Sequence, residues 1–109
     1  MTLEILLSCM NQTGGELIRK SKITGDVLVI NQCGREGERS FRTEHGRVRW
    51  LDSASRGLTV SRNLALGESR ADVCLLCDDD EVFEPDYEQK ILSAYETLVD
   101  ADVIIFNMV

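Results

Sequence analysis

The sequence predicts an α/β fold: a three-layer, Rossmann-like domain whose mainly parallel sheet is flanked by helices. Three observations carry that expectation. Short apolar runs of strand length alternate with amphipathic stretches of helix length. The run Val27-Leu28-Val29-Ile30 is continuous and β-branched, as a strand covered on both faces requires. Polar residues also collect directly after the runs, where ligands bind in open parallel sheets.

Taken in order, Leu3-Glu4-Ile5-Leu6-Leu7 is the first expected strand. Thr13-Gly14-Gly15-Glu16 has the spacing of a capping box, and Leu17 and Ile18 follow, so a short helix is expected over about 13 to 21. Residues 26–30 form a second strand, and 31–46, polar and glycine-bearing, read as a loop. Arg47-Val48-Arg49-Trp50-Leu51 alternates polar and apolar, which suggests a strand nearer the sheet edge. A helix over 57–68 would bury Leu58, Val60, Leu64 and Ala65, and a strand over 72–77 runs into an acidic cluster.

Pro85 sits where the first residue of a helix would, with Glu84, Asp86 and Glu88 suited to that end of the dipole. Tyr87, Ile91, Leu92, Tyr95 and Leu98 form one apolar stripe along it. A last strand is expected at 102–106, and the chain stops inside that apolar run, which points to a fragment of a longer protein. An exposed last strand of this kind could pair with a second copy, so a homo-oligomer is one expected partner.

Composition narrows the function. With 109 residues there is room for one domain and a single modest core. A net charge of -7 argues against nucleic acid as a partner. No apolar run reaches the ~20 residues needed to span a bilayer, and the first residues lack the basic lead of a secretory signal, so a cytoplasmic location is expected. Cys74-Leu-Leu-Cys77 invites a zinc or redox reading, but residues three apart on a strand face opposite ways. With His45 the only histidine, the four cysteines Cys9, Cys33, Cys74 and Cys77 read as buried reduced thiols.

The chemistry concentrates at Asp78-Asp79-Asp80-Glu81. Consecutive carboxylates repel one another unless a cation or protons neutralise them. Hard oxygens suit Mg2+ or Mn2+, ions that also ligate a diphosphate. On extended backbone Asp78 and Asp80 share a side, with Asp79 opposite. Arg62, one turn into the helix after Gly57, could meet a phosphate or a base edge with its planar fork. Ser8 to Asn11, Asn31-Gln32 and Asp78 to Asp80 fall along one sheet edge.

Together these elements resemble the family 2 glycosyltransferases, whose nucleotide-binding half has the GT-A fold. The likeness covers nearly all of the chain. Ser8-Cys9-Met10-Asn11 is similar to the family's Pro-Thr-Tyr-Asn, and Gly57-Leu58-Thr59-Val60-Ser61-Arg62-Asn63 to its Gly-x-x-x-Ala-Arg-Asn. Leu75-Leu76-Cys77-Asp78-Asp79-Asp80 matches its apolar strand plus Asp-x-Asp, and Pro85-Asp86-Tyr87 its following helix start.

The resemblance implies that residues 1–109 are the nucleotide-sugar-binding part of a GT-A domain, without its acceptor-binding part. A sugar would pass from a nucleotide-diphosphate sugar donor to the hydroxyl of a glycan or other acceptor, as in polysaccharide biosynthesis. Asp80 would bind the divalent metal, with Asp78 on the ribose or the metal shell. Arg62 would contact the nucleotide, and Ser8, Asn11, Asn31, Gln32 and Asp79 would complete the donor site. Two departures stand out: Asn31-Gln32 replace the family's Asp-Asp, one of which helps read uracil, and Cys9 replaces a threonine. The general base would come from a segment beyond Val109. Two other readings remain open: an α/β phosphotransfer domain with a nucleophilic aspartate and Mg2+, and a non-catalytic interaction module. The first would want a lysine after a strand, and Lys20, Lys22 and Lys90 are the lysines available.

Overall fold

The computed structural model describes residues 1–14 and 16–104. Its elements run β1 (Leu3–Met10), α1 (Glu16–Lys20), β2 (Asp26–Gln32), β3 (Gly37–Thr43), β4 (Gly46–Ser53), α2 (Leu58–Glu68), β5 (Val73–Asp78) and α3 (Tyr87–Thr97). The five strands form one sheet in the order β3-β4-β2-β1-β5, and only the β3–β4 pairing is antiparallel. The expected α/β architecture with a mainly parallel sheet is what the chain adopts.

Strand alternation builds two cores, one on each face of the sheet. Ile5, Leu7, Val27, Val29, Val48 and Trp50 meet Leu17, Ile18, Tyr87 and Ile91 on one face. Leu6, Leu28 and Ile30 meet Ala65 of α2 on the other. Ile5, Leu7, Val29 and Ile30 have no exposed surface, and each such side chain contributes about 2 kcal/mol of burial. These two layers hold the parallel strands level, so their C-terminal ends line up.

Several local expectations need correction. The stretch 31–46 is not a loop throughout: β3 lies within it and pairs with β4, from Gly37 opposite Asp52 to Thr43 opposite Gly46. Most of β3 is exposed, so it has no apolar stripe to announce it. Its pairing puts β4 one strand in from the edge and lets Trp50 be 1% exposed. Gly46 is required at the hairpin, because a Cβ there would lie 2.5 Å from the Gly25 carbonyl oxygen.

α3 begins at Tyr87 with Asp86 at its cap, so Pro85 precedes the helix rather than opening it. Its stripe is buried at Tyr87 and Ile91 and packed at Leu92 and Tyr95, but Leu98 is exposed. In α2, Ala65 is buried as expected, whereas Leu58 and Val60 are exposed and Ser61 takes the inward position. Of the strand expected at 102–106, residues 105 and 106 lie outside the described residues, and 102–104 are not in a strand. No helix among the described residues is long and apolar enough to cross a membrane.

Candidate active site

The acidic cluster is positioned by β5. Parallel pairing sets Ser8 opposite Asp78, so the last residue of β5 emerges level with the end of β1. A turn follows at once: the Glu81 amide donates to the Asp78 carbonyl at 3.4 Å, and the Asp78 amide donates to Glu81 Oε1 at 3.2 Å. This tight return folds the cluster back on itself. Carboxylate oxygens of Asp78, Asp80 and Glu81 come within 4.8 Å of one another.

Three hard oxygen donors gathered this closely fit Mg2+ or Mn2+ by their chemistry. Asp78 and Asp80 come close together, but not by strand alternation, since β5 ends at Asp78 and Asp80 lies in the turn that follows. Glu81 joins them because the turn, not an extended strand, carries the chain past Asp78. Sequence spacing counted Glu81 in the acidic run without giving it a place in the site, and a turn after the strand end was the signal available.

The α2 side of the site depends on a pair of buried hydroxyls. Ser8 Oγ and Ser61 Oγ lie 2.7 Å apart, both buried, and draw the first turn of α2 against the end of β1. Gly57 caps this helix at φ 93°, a left-handed conformation for which glycine is suited. Arg62, next to Ser61, then places Nη2 at 3.4 Å from Asp78 Oδ1. Ser8 is thus a buried anchor, and Arg62 stands at the cluster.

Asn11 turns the chain out of β1 with φ 52°, a region asparagine tolerates, and its amide donates to the Gln32 carbonyl at 3.2 Å. Asn31 is buried: Oδ1 accepts from the Gln12 amide at 2.9 Å, and Nδ2 donates to the Gln12 carbonyl at 2.8 Å and to Asp52 Oδ1 at 2.9 Å. Its side chain thus pairs with the Gln12 backbone as a neighbouring strand would. Gln32, also buried, donates from Nε2 to the Gly57 carbonyl at 3.0 Å and to Ser55 Oγ at 3.4 Å. Both amides tie loops and helix α2 to the end of β2.

Asp79, with Asp80, Glu81 and Val82, lines a cleft of about 560 Å³ whose other wall is Gln12, Glu16, Leu17, Lys20 and Ser21. Lys20 is the cation on that wall, reached from the end of α1 rather than after a strand. Beneath the cleft lie two thiols. Burial first, and then the Asp79 carboxylate, push Cys9 up to about 12. Burial, with Glu81 and Asp78 next, pushes Cys77 up further.

All four cysteines are free, but only Cys9 and Cys77 are buried; Cys33 and Cys74 are half-buried. Cys74 packs on the α2 face and Cys77 on the other, so the Cys-x-x-Cys spacing forms no paired site.

A mainly parallel sheet between helices, ending in an acidic turn beside an arginine-bearing helix, defines a Rossmann-like domain of the GT-A kind. The family model described as glycosyl transferase family 2 matches residues 2–108. The chain belongs to that family. No curated protein and no solved structure matches it. Membership sets the chain among glycosyltransferases rather than the phosphotransfer domains that also carry strand-end aspartates.

Proposed function

We propose that residues 1–109 form the donor-binding part of a glycosyltransferase that moves a sugar from a nucleotide-diphosphate sugar to an acceptor hydroxyl, with Mn2+ or Mg2+. The observation that carries this reading is the convergence of Asp78, Asp80 and Glu81 on one side of the turn, with Arg62 at its edge. A bound divalent cation would supply Lewis-acid stabilisation of the charge that builds on the departing diphosphate.

The chain's own residues do the remaining work of holding the donor. Asp80, Asp78 and Glu81 would hold the cation. The Arg62 fork meets phosphate oxygens or the ribose side of the nucleotide, and its pairing with Asp78 keeps it aimed at the cluster between turnovers. Asn11 and Asp79 border the path the nucleotide takes along the strand ends. Asn31 and Gln32 keep that path in shape through the Gln12 and Gly57 backbones.

Calorimetry with nucleoside diphosphates in the presence of Mn2+ tests this. Wild type should release heat with a nucleoside diphosphate, and Asp80→Ala should lose most of it. Equal heats for the two proteins would overturn the assignment.

A further inference from the structure

We propose that Asp52 reads the donor's nucleobase, through a hydrogen bond from a ring N–H to its Oδ2. This rests on the donor-binding reading above and assigns a specificity residue within it. The starting point is the end of β2, where Asn31 stands among the strand ends. Asn31 has both amide hydrogens committed, one to the Gln12 carbonyl and one to Asp52 Oδ1. Its Oδ1 accepts the Gln12 amide and lies 3.5 Å from the Cys9 thiol. With 1% of its surface exposed, it has nothing left to offer a ligand.

The unspent acceptor lies one strand further along. Register places Asp52 of β4 beside Asn31. Asn31 Nδ2 and Trp50 Nε1 both donate to Asp52 Oδ1 at 2.9 Å, and both donors belong to buried residues. Two fixed donors on one oxygen orient the carboxylate and leave Oδ2 to accept from elsewhere. On that side the partner in register is Gly37, whose missing side chain spares Oδ2 a contact: a Cβ built there would touch it at 3.8 Å. The Asn31 hydrogen bond is the largest influence holding this carboxyl below its usual range, with Trp50, Cys33 and the Arg35 charge adding to it. Asp52 is therefore an oriented anion at neutral pH, half-buried at a strand end.

Spacing supports the assignment. From β4 through β2 and β1 to β5 are three strand intervals, about 14 Å at the usual separation. An extended nucleoside diphosphate covers a span of that order between its base edge and its second phosphate. A base at Asp52 and a diphosphate at Asp78 and Asp80 would bridge the same row of strand ends. An oriented anion favours an acidic donor, the ring N–H of uracil, thymine or guanine, over the weaker amino donors of adenine and cytosine.

The test uses Asp52→Asn. With its carbonyl oxygen in the Oδ1 position it still accepts from Asn31 and Trp50, while the other position now donates. Binding of UDP, GDP, ADP, CDP and inorganic pyrophosphate is measured with Mn2+. In wild type, UDP or GDP should bind more tightly than ADP and CDP. In Asp52→Asn that preference should fall by about 10- to 100-fold, with pyrophosphate binding unchanged. Unaltered base preference in Asp52→Asn, or its loss together with pyrophosphate binding, would overturn the assignment while leaving the donor site standing. A wild type that binds neither nucleotide nor pyrophosphate would remove the donor-binding reading and this inference with it.

Discussion

Arg62 Nη2 sits 3.4 Å from Asp78 Oδ1, and this contact joins the first turns of α2 to the end of β5. Both side chains are about two-fifths exposed, at 43% and 39%, so as a stabilising pair it is worth less than about 1 kcal/mol. Its importance lies in charge. It sets one guanidinium beside a group of carboxylates that would otherwise present only negative potential to an anionic donor.

Arg62→Gln should therefore separate stability from binding. Urea unfolding should move by less than about 1 kcal/mol. Binding of Mn2+ with inorganic pyrophosphate should weaken about tenfold, the scale of one lost charge-assisted bond. Unchanged pyrophosphate affinity would show that the arginine serves α2 rather than the ligand.

Asp80→Asn removes one of three mutually repelling carboxylates. Without metal the variant should melt slightly higher than wild type. Mn2+ at about ten times its Kd should stabilise wild type by about 1.4 kcal/mol, a rise of roughly 5–10 °C for a domain of this size. Asp80→Asn should lose most of that rise. A thermal melt with and without Mn2+ decides the matter, and equal metal-induced rises would argue that the cluster is only a solvated turn.

The Asn31 network predicts an order among two substitutions. Asn31→Ala leaves the Gln12 amide and carbonyl and the inner oxygen of Asp52 short of a partner, at a cost of about 2–3 kcal/mol. Asn31→Asp should be worse at pH 7, because it sets a second carboxylate against Asp52 Oδ1 and the Gln12 carbonyl. Its deficit should shrink towards pH 4 as carboxylates take up protons. Urea unfolding at both pH values checks this; a wild-type midpoint for Asn31→Asp at neutral pH would refute the network.

Cys9 and Cys77 should report burial through pH. Their folded thiols titrate above the ordinary value of 9.0, Cys9 at about 12, with burial the first cause in both. Thiols held protonated by the fold contribute stability fully present below the unfolded value. That stability is lost as pH climbs from about 9 towards 12, because only the unfolded chain then releases the protons. Unfolding free energy should fall steeply across that window, and less so in Cys9→Ala compared with its own neutral value. At pH 8 a water-soluble thiol reagent should label the half-buried Cys33 and Cys74 well before the buried pair. Rapid labelling of all four would contradict the packing beneath the acidic turn.

Much of the scaffold was legible because its signals are local. The apolar runs at 3–7, 26–30 and 72–77 each lie within an observed strand or one residue outside it, and the helix expected over 57–68 is α2 nearly to the residue. The acidic group at the end of an apolar strand was also readable, although that strand, β5, lies at the sheet edge with Leu76 exposed. β3 was not, because Gly37 to Thr43 is exposed apart from the half-buried Phe41 and has no apolar alternation to display. It exists through pairing with β4, and through Arg39, whose guanidinium covers Trp50 at 5.1 Å and Phe41 at 5.7 Å. α2 was found, and so was Ala65 on its inward face, but Leu58 and Val60 are exposed and Ser61, hydrogen-bonded to Ser8 53 residues away, is buried instead.

The order of residues alone determined an α/β chain with apolar parallel strands, and an acidic group delivered to the end of one of them. Those features follow from which side chains leave water and at what period, and a short window of sequence holds that information. Tertiary structure decided the rest: that Glu81 turns back to join Asp78 and Asp80, that Arg62 stands beside them, and that Asn31 gives its amide to Gln12 and Asp52. The reason is physical. A polar side chain has several partners of similar strength, water among them, and only the distances set by packing distant segments together choose which it keeps.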